Sequence, residues 1–322
     1  MILTTNHNSL TTVVMGTRGS PLALAQARQF ARALEAAHQN LVVEERIIRT
    51  TGDKNQSAPL PAIGGKGVFT LEIEAALLDG AIDFAVHSLK DLPPDLPDGL
   101  TLGCIPQRES ADDILVLHDK HTPRNAIVYE GLFDTRGAII GTSSLRRRAM
   151  ILSLWPNVIV RDVRGNIDTR LKKLDAEFDA IILANAGLKR LEVQTHHTLH
   201  SLSGFGFVPA PGQGALAIEC RADDNRVLDL LRALEHETTR VEIVAERACM
   251  KALNAGCSTP LGAHAVFYSD ELHLEAVVLS PDGKQRVEAQ LKDKPQNALQ
   301  LGENVARELL KKGAQKLLNT DH

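Results

Sequence analysis

The sequence is poor in features that several classes of protein require. Aromatic residues make up only 3% of its 322 residues, and the formal net charge is −4, whereas nucleic-acid-binding proteins need a basic surface and usually stacking rings. No stretch reaches the roughly 18 apolar residues of a membrane-spanning helix. The first twelve residues, which we expect to be disordered, lack the basic and apolar regions of a signal peptide. These absences predict a cytoplasmic protein with neither a nucleic-acid nor a membrane partner.

Cysteine and histidine are present without the spacing that indicates a metal site. The four cysteines stand far apart in the chain, at Cys104, Cys220, Cys249 and Cys257. That spacing fits neither CxxC zinc ligands nor a disulfide framework. The twelve histidines form no HExxH motif, and the adjacent His196 and His197 are typical of a loop. We therefore expect free thiols and no metal ion.

Positive charge is concentrated in one part of the chain. Residues 141–190 hold ten Lys and Arg against five Asp and Glu, although the chain as a whole is acidic. A local excess of cations in an acidic protein favours an anionic ligand.

Strand-length apolar runs alternate with helix-period patterns in the first part of the chain. The spacing predicts strands at 13–17, 42–50 and 82–88, with helices at 22–38 and 69–80 between them. This β-α-β-α-β order predicts a largely parallel sheet. A second α/β set follows up to about residue 190. The tail from residue 225, with helices on either side of three predicted strands, is expected to be a small α+β domain.

Two glycine-containing turns are candidates for anion binding. TRGSPLA (17–23) places Arg18 and Ser20 between a strand and a helix, where backbone N–H groups and the helix dipole favour an anion. An ordinary capped helix is the alternative. IGGKGVF (63–69) contains Lys66, but Gly67 stands where a Walker A loop has Ser or Thr. A surface loop with one lysine is the alternative there.

A basic cluster begins with GTSSLRRR (141–148), in which Ser143 or Ser144 can cap a helix whose first turn carries three arginines. Cations at this end of a helix oppose its dipole unless an anion binds. The alternative is a solvated basic face. The cluster continues at Arg164, Arg170, Lys189 and Arg190. Guanidinium groups pair bidentately with carboxylates, so the cluster indicates a ligand with several carboxylates.

Two further segments combine chemistry with a position at the end of an element. In AVHSLKDLPP (85–94), Lys90 and Asp91 directly follow a predicted strand, where open α/β sheets bind ligands. A surface turn before the two prolines is the alternative. In ALNAGCSTP (252–260), Cys257 follows a helix end, and a loop thiolate can act as a nucleophile. A structural cysteine is the other interpretation.

Together these segments resemble the porphobilinogen deaminase family, also called hydroxymethylbilane synthases, from about Val13 to the tail. The matching segments, in order, are TRGSPLA, PAIGGKGVFTLEIE, AVHSLKDLP, GTSSLRRR, VRGNIDTRL, AGLKRL, FVPAPGQGALAIE and ERACMKALNAGCSTPLG. The resemblance implies an α/β fold with two domains like type II periplasmic binding proteins, each with a mixed sheet, and a small α+β C-terminal domain. The implied first domain comprises residues 1–106 and 206–224, the second residues 107–205, and the C-terminal domain residues 225–322.

The resemblance also implies a chemistry. In this family a dipyrromethane cofactor, held by a thioether to a loop cysteine, is extended by four porphobilinogen molecules with loss of ammonia, and hydrolysis releases the linear tetrapyrrole hydroxymethylbilane. The chain is thereby expected to be a monomeric transferase of haem biosynthesis. By motif match, Cys257 is the attachment residue and Asp91 the catalytic carboxylate. The residues matching the cofactor- and substrate-binding groups are Arg18, Ser20, Lys66, Ser88, Lys90, Arg146, Arg147, Arg164, Arg170 and Arg190.

The chain departs from the family pattern in two places. Ala255 stands where the family often has the first of two glycines before the cysteine, and RESADD (108–113) replaces a REDPRD-like segment. We expect neither change to touch a residue with an assigned role. A second function stays open, a non-catalytic protein that binds a polycarboxylate, because a two-domain cleft serves that role too.

Overall fold

The computed structural model of the chain describes residues 10–51, 70–121, 137–256 and 259–318. The chain forms two compact units, each assembled from several segments. The first unit comprises Met1–Ser88, Asp95–Gln107 and Leu216–His236, and the second comprises Leu89–Pro94, Arg108–Ala215 and Glu237–His322. Among the described residues, no helix is both long and apolar enough to span a bilayer.

A five-stranded mixed sheet lies at the centre of the first unit. Its strands are β1 (Thr11–Thr17), β2 (Leu41–Ile47), β3 (Phe84–Ser88), β4 (Leu100–Cys104) and β10 (Leu216–Arg221), and its helices are α1 (Pro21–Ala37), α2 (Leu71–Leu78) and α6 (Asn225–Leu231). The strand order is β2-β1-β3-β10-β4, with β1 parallel to β2 and β3. Strand β10 is antiparallel to both neighbours. The prediction of a largely parallel sheet from residues 13–88 is confirmed for β1 to β3, and the one antiparallel strand, β10, comes from much later in the chain.

Helix α1 shows how local sequence positions the end of β1. The Ser20 Oγ accepts a hydrogen bond from Ala23 N at 3.3 Å, and Pro21 occupies the first helical position, where its missing N–H costs nothing. The buried face of the helix includes Phe30, whose ring meets Phe84 of β3 edge to face at 5.8 Å. This packing holds the β1–α1 turn at the carboxyl edge of the sheet.

The second unit contains a sheet with the same strand pattern. Its strands are β5 (Asp113–Leu117), β6 (Ile139–Gly141), β7 (Ile159–Arg161), β8 (Ala180–Ala184) and β9 (Thr198–Ser201), and its helices are α3 (Leu145–Leu154), α4 (Ile167–Glu177) and α5 (Asn185–Arg190). The order is β7-β6-β8-β5-β9, with β6 parallel to its neighbours and β5 antiparallel to β8 and β9. In both sheets one antiparallel strand thus pairs with the last strand of a βαβαβ arrangement.

From Glu237 onward the tail belongs to the second unit and forms a three-stranded antiparallel sheet covered by helices. Its elements are α7 (Glu237–Ala252), β11 (Leu261–Tyr268), β12 (Glu271–Leu279), β13 (Arg286–Asp293), α8 (Ala298–Lys311) and α9 (Gln315–Leu318). A Cβ on Gly302 of α8 would clash with Ala245 O of α7, so glycine lets α8 and α7 pack closely. Val277 and Leu279 of β12 share a buried cluster with Leu115 and Ile182 of the five-stranded sheet.

The predicted fold class is confirmed: two α/β sheets of type II periplasmic-binding-protein topology and a small α+β tail. Strands β4 and β9 were not predicted from the sequence. The boundaries of the three domains stay a prediction. Each of the three sheets lies within one predicted domain.

Candidate active site

In the first unit, three predicted site residues lie at one edge of the sheet. Arg18 and Ser20 follow β1, and Ser88 ends the parallel neighbour β3. The Ser88 Oγ and the buried Gln26 amide exchange hydrogen bonds at 2.9 and 3.2 Å. Arg18 is half-buried. Because the N-terminus of α1 opens at the same edge, this group of residues suits an anion.

In the second unit, five predicted arginines follow the ends of three parallel strands. These are Arg146 and Arg147 on α3, Arg164 and Arg170 after β7, and Arg190 on α5. The carboxyl ends of parallel strands meet at one edge of a sheet. Strand β5 runs the opposite way and pairs its first residue, Asp113, with Ala184 at the end of β8. The antiparallel strand therefore brings a carboxylate to the edge where the arginines lie.

Asp113 lies between two of these arginines. Its Oδ1 accepts a hydrogen bond from Arg147 Nε at 2.8 Å, and its Oδ2 is 2.8 Å from Arg146 Nη1. Arg146 also donates to Val208 O at 2.8 Å, and Arg147 donates to Ile182 O at 3.1 Å. All three charged side chains are buried. The alternative of a solvated basic face is therefore wrong for Arg146 and Arg147.

This buried centre carries more positive than negative charge. Burial by itself would raise the pKa of Asp113, but the two guanidinium groups outweigh that effect and hold the pKa well below its usual value. Burial lowers the pKa of Arg146, yet arginine stays protonated in proteins. Two cations thus share one anion, and Arg146 Nε has no hydrogen-bond partner among the described residues. The excess charge and the unused donor both fit a carboxylate-rich ligand.

Lys90 is connected to this centre through a glutamine. It lies in the 3₁₀ turn Leu89–Asp91, and its Nζ donates to Gln213 Oε1 at 3.3 Å. Gln213 Nε2 in turn donates to Asp113 Oδ1 at 3.0 Å. Burial, with a contribution from the charge of Arg147, lowers the pKa of Lys90 to about 8. An anionic ligand would stabilise the charged form of this lysine.

Asp91 is exposed, although the turn that carries it is firmly anchored. Leu89 and Leu92 on either side are buried, and Leu89 N donates to Ala215 O at 3.0 Å. Arg247 Nη2 donates to the carbonyls of the two prolines that follow, at 2.6 and 2.9 Å. Within the described residues, the Asp91 carboxylate has no hydrogen bond or salt bridge. The turn therefore presents a carboxylate that is open to a ligand.

The three remaining arginines are half-buried. Arg170 Nε donates to Gly165 O at 2.8 Å, and burial together with the charge of Arg147 lowers the pKa of Arg170 to about 10. Arg190 Nη2 donates to Gly214 O at 2.8 Å, and burial lowers its pKa. Arg164 Nη2 is 3.9 Å from Asp162 Oδ2.

A second buried carboxylate, Glu246, fastens the loop before β10. Its Oε1 is 2.7 Å from Arg108 Nη1, and its Oε2 accepts a hydrogen bond from Gly212 N at 2.6 Å. Arg108 Nε donates to Gln213 O at 2.8 Å. These bonds hold the loop that carries Gln213, the partner of Lys90, in place.

Arg108 and Asp113 both belong to the RESADD segment. Both residues are shared with the REDPRD-like pattern, so the departure lies at positions 110–112, and the expectation that it touches no assigned residue stays a prediction. Asp113 itself, which pairs with Arg146 and Arg147, was not predicted as a site residue. The only signal in the sequence was an acidic residue at the start of an apolar strand.

Two predicted residues, Lys66 and Cys257, lie outside the described residues. The other three cysteines, Cys104, Cys220 and Cys249, are free thiols, as predicted, and are buried.

Asp113→Asn tests the buried ion centre. The amide keeps the shape of the side chain but leaves two buried guanidinium groups without a counter-charge, so we expect the free energy of unfolding in urea to fall by about 3–5 kcal/mol at pH 7. The native pKa of Asp113 is depressed, so this stabilisation is present above the unfolded-state pKa of about 4 and is lost as the pH falls below it.

Asp162→Asn is the matched control, because Asp162 pairs with Arg148 at 3.5 Å while 58% of its side chain is exposed. An exposed ion pair contributes at most about 1 kcal/mol. Equal losses in the two variants, or a difference between Asp113→Asn and wild type that persists unchanged at low pH, would contradict the proposed role of the buried charge.

Comparison with known proteins places this geometry in a family. The family model described as "Porphobilinogen deaminase, dipyromethane cofactor binding domain" matches residues 13–229, and the one described as "Porphobilinogen deaminase, C-terminal domain" matches residues 240–311. The curated porphobilinogen deaminase of Macrococcus caseolyticus is 42% identical over 309 residues, covering 96% of this chain and 97% of that protein. The protein of the same name from Syntrophobacter fumaroxidans is 44% identical over 306 residues, covering 94% and 96%.

Among solved structures, substrate binding domain 2 of Lactococcus lactis GlnP is 10% identical with a TM-score of 0.42, covering 69% of this chain and 88% of that chain. We draw no conclusion from a likeness this distant. The two family models together span most of the chain, and the curated relatives match it along nearly its whole length. The chain therefore belongs to the porphobilinogen deaminase family.

Proposed function

We propose that the chain is a hydroxymethylbilane synthase, a transferase that joins four porphobilinogen molecules head to tail with loss of ammonia and releases a linear tetrapyrrole. Family membership and the name of the matched cofactor-binding domain support this activity. The observation that carries the site assignment is the buried centre in which Arg146 and Arg147 share Asp113. Each pyrrole of the substrate carries an acetate and a propionate, and these carboxylates supply the missing negative charge.

In the second unit, Arg146, Arg147 and Lys90 would hold carboxylates of the dipyrromethane cofactor or the substrate, with Arg164, Arg170 and Arg190 at the same sheet edge. The unused Arg146 Nε and the lowered pKa values of Lys90 and Arg170 support this role. The exposed Asp91 would be the catalytic carboxylate. When bound, the cofactor supplies the free pyrrole carbon to which the first substrate is joined.

In the first unit, Arg18, Ser20 and Ser88 would bind further acidic or polar groups of the ligand, and we assign Lys66 the same role from its motif. The cap at the start of α1 and the hydrogen bonds between Gln26 and Ser88 support this assignment, because they fix the donors at the carboxyl edge of the sheet.

We also propose attachment of the cofactor through a thioether to Cys257, a monomeric state, a cytoplasmic location and the three-domain division given above. Burial raises the pKa of Cys220 to about 11 and of Cys249 to about 12, which leaves these thiols unreactive near neutral pH. The family match favours the enzyme over a non-catalytic polycarboxylate-binding protein.

The pH dependence of Lys90 tests the carboxylate site. With no carboxylate bound, the pKa of Lys90 is about 8, so a Lys90 that awaits the incoming substrate is charged below pH 8 and neutral above it. We expect kcat/KM for porphobilinogen, which reports groups of the free enzyme, to fall through that pH by about tenfold or more, the effect of losing a charge-assisted hydrogen bond. Lys90→Arg keeps its charge, so its kcat/KM, scaled to its own maximum, should show no fall near pH 8.

The substrate's own amine also titrates, but it does so equally for wild type and for Lys90→Arg. Its effect therefore cancels when the two pH profiles of kcat/KM are divided by each other. Lys189→Arg is the matched control, because Lys189 is exposed and pairs with Glu109 at 2.8 Å, and it should keep the fall near pH 8. The same fall in Lys90→Arg as in wild type would rule out Lys90 as a carboxylate-binding group.

A further inference from the structure

Five metal-ligating side chains gather in the second unit, away from the arginines. His118 and Asp119 follow β5, Asp175 lies on α4, and His196 and His197 precede β9. Asp113 begins β5 and His118 directly follows its end, so about five residues of extended chain separate the two by roughly 16 Å. This His–Asp cluster is therefore at the opposite end of the strand from the buried ion centre, and the proposed activity does not use it.

His197 is the central member of the cluster. Only 1% of its side chain is exposed, and its Nε2 lies 3.1 Å from Asp175 Oδ1. Its Nδ1 is buried and has no hydrogen-bond partner among the described residues. A carboxylate that accepts the N–H of one ring nitrogen directs the lone pair of the other nitrogen outward, which is how histidine ligands of metal ions are commonly oriented. The unsatisfied Nδ1 is costly in a buried position unless something binds it.

Two side chains beside His197 can complete a site. The ligand atoms of His118, Asp119 and His197 lie within 4.8 Å of one another. The His118 and His197 rings are 5.4 Å apart, centre to centre, and His118 Nδ1 is 2.8 Å from Asp119 Oδ1. Tetrahedral ligands at bond lengths of about 2.0–2.1 Å are separated by roughly 3.3 Å. His118 Nδ1 and Asp119 Oδ1 both accept a hydrogen bond from Lys120 N, at 3.1 and 2.8 Å. Binding an ion would therefore require side-chain rotation, for which the exposed Asp119 has room.

We propose that His118, Asp119 and His197 bind a divalent first-row transition ion such as Zn²⁺, with Asp175 orienting His197. Two imidazoles and one carboxylate form a donor set that suits zinc, with one position left for water. The sequence analysis predicted no metal ion, because the ligands come from segments almost 80 residues apart and no HExxH spacing joins them.

A second group of ligands in the same cluster leaves the unsatisfied Nδ1 of His197 unexplained. Asp175, His196 and His197 also bring their ligand atoms within 4.8 Å of one another, and Asp175 Oδ1 is 3.1 and 3.9 Å from the two Nε2 atoms. An ion held by the Nε2 of His197 would, however, leave its protonated Nδ1 buried without an acceptor. In the proposed site Nδ1 of His197 would hold the ion, which keeps the bond from Nε2 to Asp175.

The test is a Zn²⁺ titration of untagged, cofactor-loaded full-length protein in competition with a chromophoric chelator. We expect wild type to bind one ion that raises its thermal midpoint, since a ligand of the native state stabilises it. Asp119→Asn and His118→Gln should lose affinity by more than the roughly 10–100-fold expected for Asp175→Asn, which affects only an orienting group. His196→Gln, at a side chain that is 66% exposed, is the matched control and should bind as wild type does.

Asp119→Asn keeps the test decisive if His118→Gln fails to fold, because Asp119 is 54% exposed. Wild type that binds no more zinc than Asp119→Asn overturns the proposal. The proposal is also overturned if His196→Gln loses the ion while Asp119→Asn keeps it. That result would place the ion between Asp175, His196 and His197.

Discussion

Cys257→Ser is expected to give a folded protein with the mass of its sequence and no synthase activity. A thiolate is a far stronger nucleophile than a hydroxyl near neutral pH, so serine would not take up the pyrrole primer. Intact mass spectrometry should show wild type heavier than its sequence by one dipyrromethane and the variant without that addition. Ehrlich's reagent, which colours pyrroles, gives an independent reading of the same difference.

The remaining thiols make this prediction specific. Cys104, Cys220 and Cys249 are buried in apolar surroundings, and the pKa of Cys249 is raised to about 12 by burial, with the charge of Glu246 adding to the effect. Hardly any thiolate forms there at neutral pH.

Cys249→Ala is the control, and it should keep both the added mass and the colour reaction even where its stability is lower. Peptide mapping that places the pyrrole on any cysteine other than Cys257, or an unchanged adduct in Cys257→Ser, would contradict the assignment.

The sequence predicts local features of this molecule better than the contacts between distant segments. Ser144, one of the two proposed caps, does accept a hydrogen bond from Arg147 N at 3.4 Å at the start of α3. Asn166 likewise caps the start of α4, where its Oδ1 accepts a hydrogen bond from Thr169 N at 2.9 Å. Caps and apolar periodicity act over a few residues, so a single segment contains all the information needed.

The centre of the candidate site depends on contacts that no single segment contains. Asp113 meets Arg147 across 34 positions, and Lys90 meets Gln213 across 123. Those contacts follow from β5 and β10 running antiparallel within otherwise parallel sheets. Periodicity predicts that a strand forms and which of its faces are buried. It does not predict which strand lies beside it or in which direction the strand runs. The sequence therefore identified the arginines and missed the carboxylate that two of them share.

Asp91→Asn is expected to lower turnover by about 10²–10⁴, the range typical of a lost acid–base group. The amide keeps nearly the same volume and one acceptor oxygen but loses the negative charge and the titratable proton. In the proposed reaction, positive charge develops on the pyrrole nitrogen of porphobilinogen as ammonia leaves, and a fixed carboxylate stabilises it. The effect should appear in kcat more than in KM, because the carboxylates of the substrate are bound elsewhere.

The structure makes Asp91 a cleaner position for this test than the arginines. Its side chain is exposed and has no hydrogen bond or salt bridge within the described part of the chain, whereas Arg147 is buried against Asp113 and its removal would disturb stability as well as binding. The buried Leu89 and Leu92 anchor the turn without help from the carboxylate. We therefore expect Asp91→Asn to unfold in urea as wild type does.

Asp98→Asn is the matched control, because it makes the same chemical change at an exposed aspartate seven positions along the chain and should leave turnover unchanged. Because the primer is itself made from porphobilinogen, the turnover of Asp91→Asn must be measured on protein whose mass verifies the adduct. Single-turnover elongation then separates chemistry from cofactor assembly. A rate near that of wild type would show that Asp91 does not act on the reacting pyrrole, and the anchored turn would then serve only to hold Lys90 beside Gln213.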